Sequence, residues 1–212
     1  RSSAASDVYK RQVMVASVLI QMAIAWVYSH LLEYVLHRWW LHNRKRKHWF
    51  RDHFGNHHKL ARKNWMYDYR SHDKIQPTKD REIKGLLLLA LIHSPVAIWF
   101  PWAYLVLVYS ALSYFIVHRR AHQDFRWARQ NLPWHYDHHM GNQNMNWGVR
   151  LPWVDWIAGT RVEYKGTPKE EKEYYSFLRT IKRLYAIRSY RDKRQEREES
   201  SEVVRKQPWS YD

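Results

Sequence analysis

GLLLLALIHSPVAIWFPWAYLVLVYSALSYFIV, Gly85 to Val117, runs for 33 residues without one Asp, Glu, Lys or Arg. As one straight helix it would be about 50 Å long, too much for a single crossing of a ~30 Å hydrocarbon layer. Pro95 and the step Phe100-Pro101-Trp102 divide it, because proline cannot continue the hydrogen-bond ladder of the helix before it. The stretch therefore predicts a tight helical hairpin, tilted or entering only part of a bilayer. A hairpin returns the chain to the side it left. Polar segments holding His58 and His118 flank it, so the topology sets those histidines side by side.

A second apolar block lies upstream. Val13 to Ser29 carries no formal charge over 17 residues and continues through His30 to Leu36 without proline or glycine, long enough for a spanning helix. A cleaved signal peptide would have a shorter apolar core followed by small residues, whereas this helix runs into His37-Arg38-Trp39-Trp40. Residues 1–12 are polar and patternless; they are set aside as a non-native or disordered leader. The expected architecture is all-α: an integral membrane helical protein with one spanning helix, a helical hairpin and a histidine-rich helical cap on the cytosolic side.

The chain of 212 residues is sufficient for one domain with a core. The mean hydropathy is polar, but the apolar residues are concentrated in two blocks with the charges outside them. A net charge of +16 with 13 Trp and 15 Tyr fits nucleic-acid binding, an anionic membrane surface, or the basic flanks and aromatic belts of spanning helices. A nucleic-acid binder leaves residues 85–117 unexplained, and no nucleic-acid partner is expected. The absence of cysteine removes disulfides, thiolate zinc sites and iron–sulfur clusters. A metal here must use imidazole, carboxylate or water.

Three domains are read from the pattern: the leader, a membrane-embedded domain at 13–165 that holds every grouped histidine, and a basic amphipathic helix with a charged tail at 166–212. Thr167-Pro168-Lys169-Glu170 reads as a capping box with proline at the first helical position. Tyr174, Phe177, Leu178, Ile181, Leu184 and Tyr185 follow on one face, which either docks on the domain or lies on lipid. Beyond Arg188 the density of both charges predicts disorder or a frayed helix. There is no internal repeat, Gly-rich phosphate loop, HExxH motif or serine elbow.

Ten of the 14 histidines fall in four groups: His37 with His42, His53 with His57 and His58, His118 with His122, and His135 with His138 and His139. Residues three or four apart lie about 40–60° apart round a helix, so the last two groups each share a face, as do His53 and His57. His37 and His42, five apart, lie about 140° apart; they need a local unwinding or approach two different metals. Ten imidazoles exceed the four ligands of one tetrahedral zinc and suit two metals of five or six coordination. Imidazole serves iron, zinc and copper alike. His30, His48, His72 and His93 belong to no group and read as structural or solvated.

Carboxylates near the ligands can orient them by accepting the second ring N–H. Glu33, Asp137 and Asp155 are the candidates; Asp52 and Asp124 read as surface charges. A carboxylate near the end of a membrane helix is costly unless paired, which singles out Glu33. Trp134, Trp147 and Trp153 are candidates for a substrate entrance or for interfacial anchors.

The ordered boxes His37-Arg-Trp-Trp-Leu-His42, His53-Phe-Gly-Asn-His57-His58, His118-Arg-Arg-Ala-His122 and His135-Tyr-Asp-His138-His139 resemble the fatty acid hydroxylase / sterol desaturase superfamily. So do Glu33-Tyr34-Val35-Leu36, Asn146-Trp147-Gly148-Val149, Pro152-Trp153-Val154-Asp155 and Gly159-Thr160 around them. The resemblance spans roughly residues 30 to 161. It implies a multi-pass enzyme of a bacterial inner membrane or the endoplasmic reticulum, with two Fe ions, zinc being able to substitute in a purified form. It further implies O2 as co-substrate, two electrons from a separate donor (cytochrome b5-like, or ferredoxin with its reductase), and a lipid C–H bond hydroxylated or desaturated. Such families carry four spanning helices, so one helix plus a hairpin points to a lost first helix. Substrates in such a family include fatty acyl, sterol and carotenoid lipids. The contrasting reading is a membrane metal-binding protein, for zinc or iron, without oxygenase activity.

Overall fold

The computed structural model describes residues 2–69 and 80–206; His72 lies outside them. All regular structure among the described residues is helical. The chain divides into two compact units, Arg1–Lys165 and Gly166–Asp212.

In the first unit α1 runs over Ser2–Val35 and passes directly into a π-helical segment, π1, at Leu36–Leu41. The patternless leader is thus drawn as the start of the helix. Then come α2 (Lys47–Phe50), a second π-helical segment π2 (Arg51–His58) and α3 (Lys59–Lys63). The expected hairpin is present, with unequal arms. Its first arm is α4 (Arg81–His93) followed by the four-residue α5 (Val96–Trp99); its second is α6 (Pro101–Gln123). Asp80 starts α4 by accepting from the amides of Glu82 and Ile83 at 2.9 and 3.2 Å, as an N-cap does. Pro95 and Pro101 end one helix and open the next, as their missing N–H requires. Tyr104 ties the arms together by donating to the Ala90 carbonyl at 3.1 Å.

Two segments are long and apolar enough to cross a membrane, Ser6–Leu41 and Pro101–Gln123. Leu19, Ile20 and Ile24 on α1 and Leu105, Leu112 and Ile116 on α6 are exposed. Apolar surface on that scale is intolerable in water and ordinary in lipid, and the protein is membrane-associated. α1 and α6 pack against each other, and Ser110 donates to Ser29 across the contact at 3.1 Å. At 13 residues α4 is only about 20 Å long, which is why it falls short of a span.

Beyond α6 come α7 (Phe125–Asn131), α8 (Pro133–Met140) and α9 (Trp153–Ile157). Asp124 caps α7 through the amides of Arg126 and Trp127. The second unit is one helix, α10, Pro168–Lys206. Glu170 donates its amide to Thr167 Oγ1 at 3.3 Å, but its carboxylate reaches back to the Gly166 amide at 2.6 Å. The capping box is therefore shifted by one residue, and the helix continues past Arg188 to Lys206, where disorder or a frayed helix was expected. Leu184, Tyr185, Ile187 and Tyr190 are exposed along it.

Candidate metal centre

The histidine spacings are resolved by local helix type. In π1 the His42 amide donates to the His37 carbonyl, five residues back, at 3.3 Å, the register of a π-helix. The i,i+5 spacing that is poor on an α-helix thereby places both rings together, 5.1 Å between centroids. The same register in π2 pairs His53 with His58 and turns His57 away, against the expectation that His53 and His57 would act together. The α-helical spacing in α6 and α8 keeps His118 with His122 and His135 with His139.

Two clusters result. His37, His42, His53, His58 and His138 form one; His57, His118, His122 and His139 form the other; within each, one ring nitrogen per residue lies within 4.8 Å of all the rest. His135 stands at the rim of the second, its Nε2 3.2 Å from that of His122. Each cluster is drawn mainly from one half of the chain. His57 and His138 cross over, one from each box with adjacent histidines. The hairpin sets His118 beside His57, 5.1 Å between centroids, and His58 faces His138 at 4.7 Å.

Five rings are oriented from outside. His37 donates from Nδ1 to the Trp147 carbonyl at 2.6 Å, His138 to that of Met145 and His122 to that of Met66, both at 2.7 Å. His57 Nδ1 lies 2.9 Å from Asp68 Oδ2, and His118 Nδ1 2.7 Å from Glu82 Oε1. A carbonyl only accepts, so Nδ1 carries the proton and Nε2 presents a bare lone pair inward. The Nε2 atoms then crowd one another: His37 to His53 at 2.9 Å, and His58 to His42, His53 and His138 at 3.1, 3.2 and 3.2 Å. One proton on His58 satisfies only one of its three contacts. A cation among the lone pairs satisfies all of them, and imidazoles bound at about 2.0–2.1 Å stand about 3 Å apart when at right angles. Nε2 of His118 and both ring nitrogens of His139 are buried without a hydrogen-bond partner among the described residues. The donor set fits metal ions.

Burial, reinforced by the neighbouring rings, holds His53, His58, His135, His138 and His139 well below the ordinary histidine value of 6.5. His42, the more accessible ring, is pushed down to about 3 by burial and then by His57. Neutral imidazole is the form that binds metal.

A family model described as fatty acid hydroxylase matches residues 22–160, a span that contains every histidine of both clusters. The chain belongs to the fatty acid hydroxylase family. No curated protein and no solved structure matches it. A cavity of about 800 Å³ adjoins the histidines. His37, His53, His57 and His118 line it, as do Leu36, Leu86, Leu89 and Leu107, and it extends to His93 and to Tyr104, 14 residues before His118 on α6.

Several expected site residues have other roles. Glu33 touches no histidine; it accepts from the amides of Val149 and Arg150 and pairs with Arg150 Nε at 2.6 Å. Asp137 pairs with Arg161 at 2.7 Å and accepts from the Lys165 amide. Asp155 binds the amides of Trp147 and Gly148 and the Thr160 hydroxyl. Their buried negative charge goes to backbone amides and arginines, which leaves nothing for the rings. Trp134, Trp147 and Trp153 do not line the cavity; Trp40 and Trp49 do. Trp134 donates to the Val149 carbonyl at 2.7 Å, Trp147 is buried with Tyr34 and Val154, and Trp153 stacks on Trp26 at 6.0 Å. The segment that carries Trp147 and Trp153 is tied to α1 through Glu33 and through the Tyr34–Thr160 bond at 3.2 Å, and of its residues Arg150, not the tryptophans, lines the cavity.

Asp68 and Glu82 are, among the described residues, the carboxylates that do reach clustered rings. Glu82 carries a readable signal: it lies three residues before the uncharged run, where an unpaired charge is as costly as at Glu33. Asp68 sits in an irregular loop with no pattern to mark it. Of the ungrouped histidines, His30 bonds the Trp26 carbonyl at 2.9 Å, His93 bonds Tyr28 at 2.9 Å, and His48 is exposed.

Proposed function

We propose that this protein is a membrane-bound, O2-dependent hydroxylase or desaturase of a lipid C–H bond, with one iron in each histidine cluster. The reading is carried by one observation: two adjacent all-imidazole clusters open onto a long apolar cavity. A non-catalytic metal handler has no use for such a cavity.

Bound iron would supply reductive activation of O2; hydroxylation consumes O2, two electrons and two protons and yields the alcohol and water. The remaining work belongs to the chain. His37, His42, His53, His58 and His138 would hold one ion, and His57, His118, His122 and His139, with His135 beside them, the other. Asp68, Glu82 and the carbonyls of Met66, Met145 and Trp147 hold five of these rings in the tautomer that points Nε2 inward. Leu36, Leu86, Leu89 and Leu107 exclude water and hold an apolar chain beside the clusters. The substrate is a fatty acyl or related lipid, sterols and carotenoids included.

Electrons come from a separate protein, cytochrome b5-like or ferredoxin-type. Lys45, Arg46, Lys47, Arg51, Lys59 and Lys63 are exposed on the segment whose inner side carries His53, His57 and His58, a face suited to an acidic carrier on the cytosolic side of a multi-pass protein. The test is metal analysis of the purified chain followed by incubation with O2, a donor and lipid extract. Two irons per chain and an oxygenated or desaturated product, both lost in His138→Ala, are expected. Tight zinc with no O2 uptake under any donor overturns the reading.

A further inference from the structure

The cavity is lined by apolar side chains and by several charged ones, among them Asp52, Glu82 and Arg119 towards the histidines, and by one further polar patch. Ser29, Glu33, Ser110 and Arg150 all line it, and all four side chains are largely buried. Arg150, with its side chain 10% exposed, donates from Nε to Glu33 at 2.6 Å and from Nη2 to Ser29 Oγ at 3.1 Å. A guanidinium has five N–H groups, and the other three have no acceptor among the described residues. Ser29 is fully engaged: it donates to the Trp26 carbonyl and accepts from Ser110 and Arg150. Ser110 donates to Ser29 and keeps its own lone pairs. These free donors are not sealed in protein but face the cavity that Arg150 lines, the space in which an acceptor can reach them; left unpaired at the level of a membrane they are costly.

The position of the patch is set by the helices. Glu33 and Ser29 precede His37 by four and eight residues, and Ser110 precedes His118 by eight. At 1.5 Å per residue the patch lies about 6–12 Å along the cavity from the histidines. Its charge is already balanced, because Glu33 sits on the same guanidinium. A second carboxylate would bring two negative charges against one arginine.

Resting on the reading that the cavity receives the lipid, we propose that Arg150 and Ser110 form a subsite for a neutral oxygen function of that lipid. A hydroxyl, ketone or ester carbonyl fits, placed about 6–12 Å from the carbon that lies at the histidines. Arg150 donates to the oxygen, and Ser110 accepts from it when it is a hydroxyl. The substrate is thus held at two points, so the position of oxidation is fixed relative to an existing oxygen and not by chain length alone.

The test is binding, which needs no turnover. The purified full chain in detergent is titrated with four long-chain probes brominated at one end: a hydrocarbon, an alcohol, a methyl ester and a carboxylic acid. Quenching is read from Trp40 and Trp49, which line the cavity, with Trp40→Phe and Trp49→Phe assigning the signal. The alcohol and ester are expected to bind about tenfold tighter than the hydrocarbon, with the acid no tighter than the ester. Arg150→Met reduces this preference for alcohol and ester alike. Ser110→Ala reduces it for the alcohol only, and it carries the test if Arg150→Met does not fold. Equal binding of hydrocarbon, alcohol and ester overturns the subsite and leaves the lipid cavity standing. So does tightest binding of the acid, or a preference unchanged in Ser110→Ala and Arg150→Met. Absence of quenching by every probe overturns the lipid cavity and the subsite together.

Discussion

Asp155 and His37 are joined through a single residue: Asp155 Oδ1 accepts from the Trp147 amide at 2.8 Å, and the Trp147 carbonyl accepts from His37 Nδ1 at 2.6 Å. The carboxylate thus positions a ring it never touches. It also holds Gly148 at 2.7 Å, where a Cβ would collide with the Leu151 carbonyl, so only glycine fits the turn. Asp155→Asn replaces an acceptor by an amide that must present N–H to N–H at one of its bonds. We expect a loss of about 1–3 kcal/mol in stability and about tenfold weaker binding of metal to the cluster of His37, read by thermal melts and by metal titration. Unchanged metal affinity would separate Asp155 from His37.

Asn146 lies between the two carbonyls that orient His138 and His37, in the left-handed region at φ 61°. This turn aims the carbonyls of Met145 and Trp147 at the two rings. The side chain locks it by accepting from the Val162 amide at 2.8 Å and donating to the Val162 carbonyl at 2.7 Å. Asn146 also accepts from Arg161 Nη1 at 3.0 Å; Asn146→Gly tolerates the angle but loses all three bonds, and Asn146→Ala loses them and the conformational tolerance. The alanine variant should therefore be less stable than the glycine variant by about 1 kcal/mol. The reverse order in melts of the two variants would deny the role of the left-handed turn.

Glu82 provides a test that the two clusters are separable. It touches His118, which belongs to the cluster of His57, His122 and His139. Glu82→Gln keeps an acceptor for Nδ1–H and should bind two metals per chain. Glu82→Leu removes it and should weaken one of the two equivalents by about 10–100-fold. Equal weakening of both would show that the clusters do not bind independently.

The depressed histidines fix the sign of the acid response. Outside the spans, His42 is held at about 3 against 6.5 for the free side chain, and His53, His58, His135, His138 and His139 shift the same way. Below pH 6.5 the unfolded chain takes up protons that the folded chain refuses. The stability these groups contribute is therefore complete above pH 6.5 and falls as the pH drops toward 3, by up to about 1.4 kcal/mol per pH unit for each ring. Melts of the metal-free protein should be flat from pH 8 to 7 and drop steeply from pH 6 to 5. A flat profile throughout would mean that the rings are not buried together.

The apolar blocks and the histidine spacing made the helices, the hairpin and the nine rings that cluster legible, because burial in lipid and ligand chemistry both act through residue type. The division of those rings between two clusters was not legible. It depends on π-helical register in π1 and π2, set by tertiary packing and carrying no composition of its own. Carbonyls that orient rings, such as that of Met66, leave no mark either, since every residue has one. Carboxylates misled for a related reason. Glu33 and Asp137 lie within four residues of a grouped histidine but, like Asp155, are used to hold backbone, whereas Asp68 is ten residues beyond His58 and reaches His57 through the fold.

Glu33 and Arg150 make the strongest case for a structural charge pair. Their side chains are 7% and 10% exposed, and Glu33 also holds the Arg150 amide at 3.0 Å. Removing one partner strands the other charge in a dry site, at a cost of about 3–5 kcal/mol. Glu33→Ala and Arg150→Ala should each be destabilised to that degree. The double variant should lose less than the sum of the two, because no charge is left stranded. The check is a double-mutant cycle of melts in detergent. Additive losses would mean that Glu33 acts through the amides of Val149 and Arg150 alone, and that the guanidinium contributes nothing to the fold.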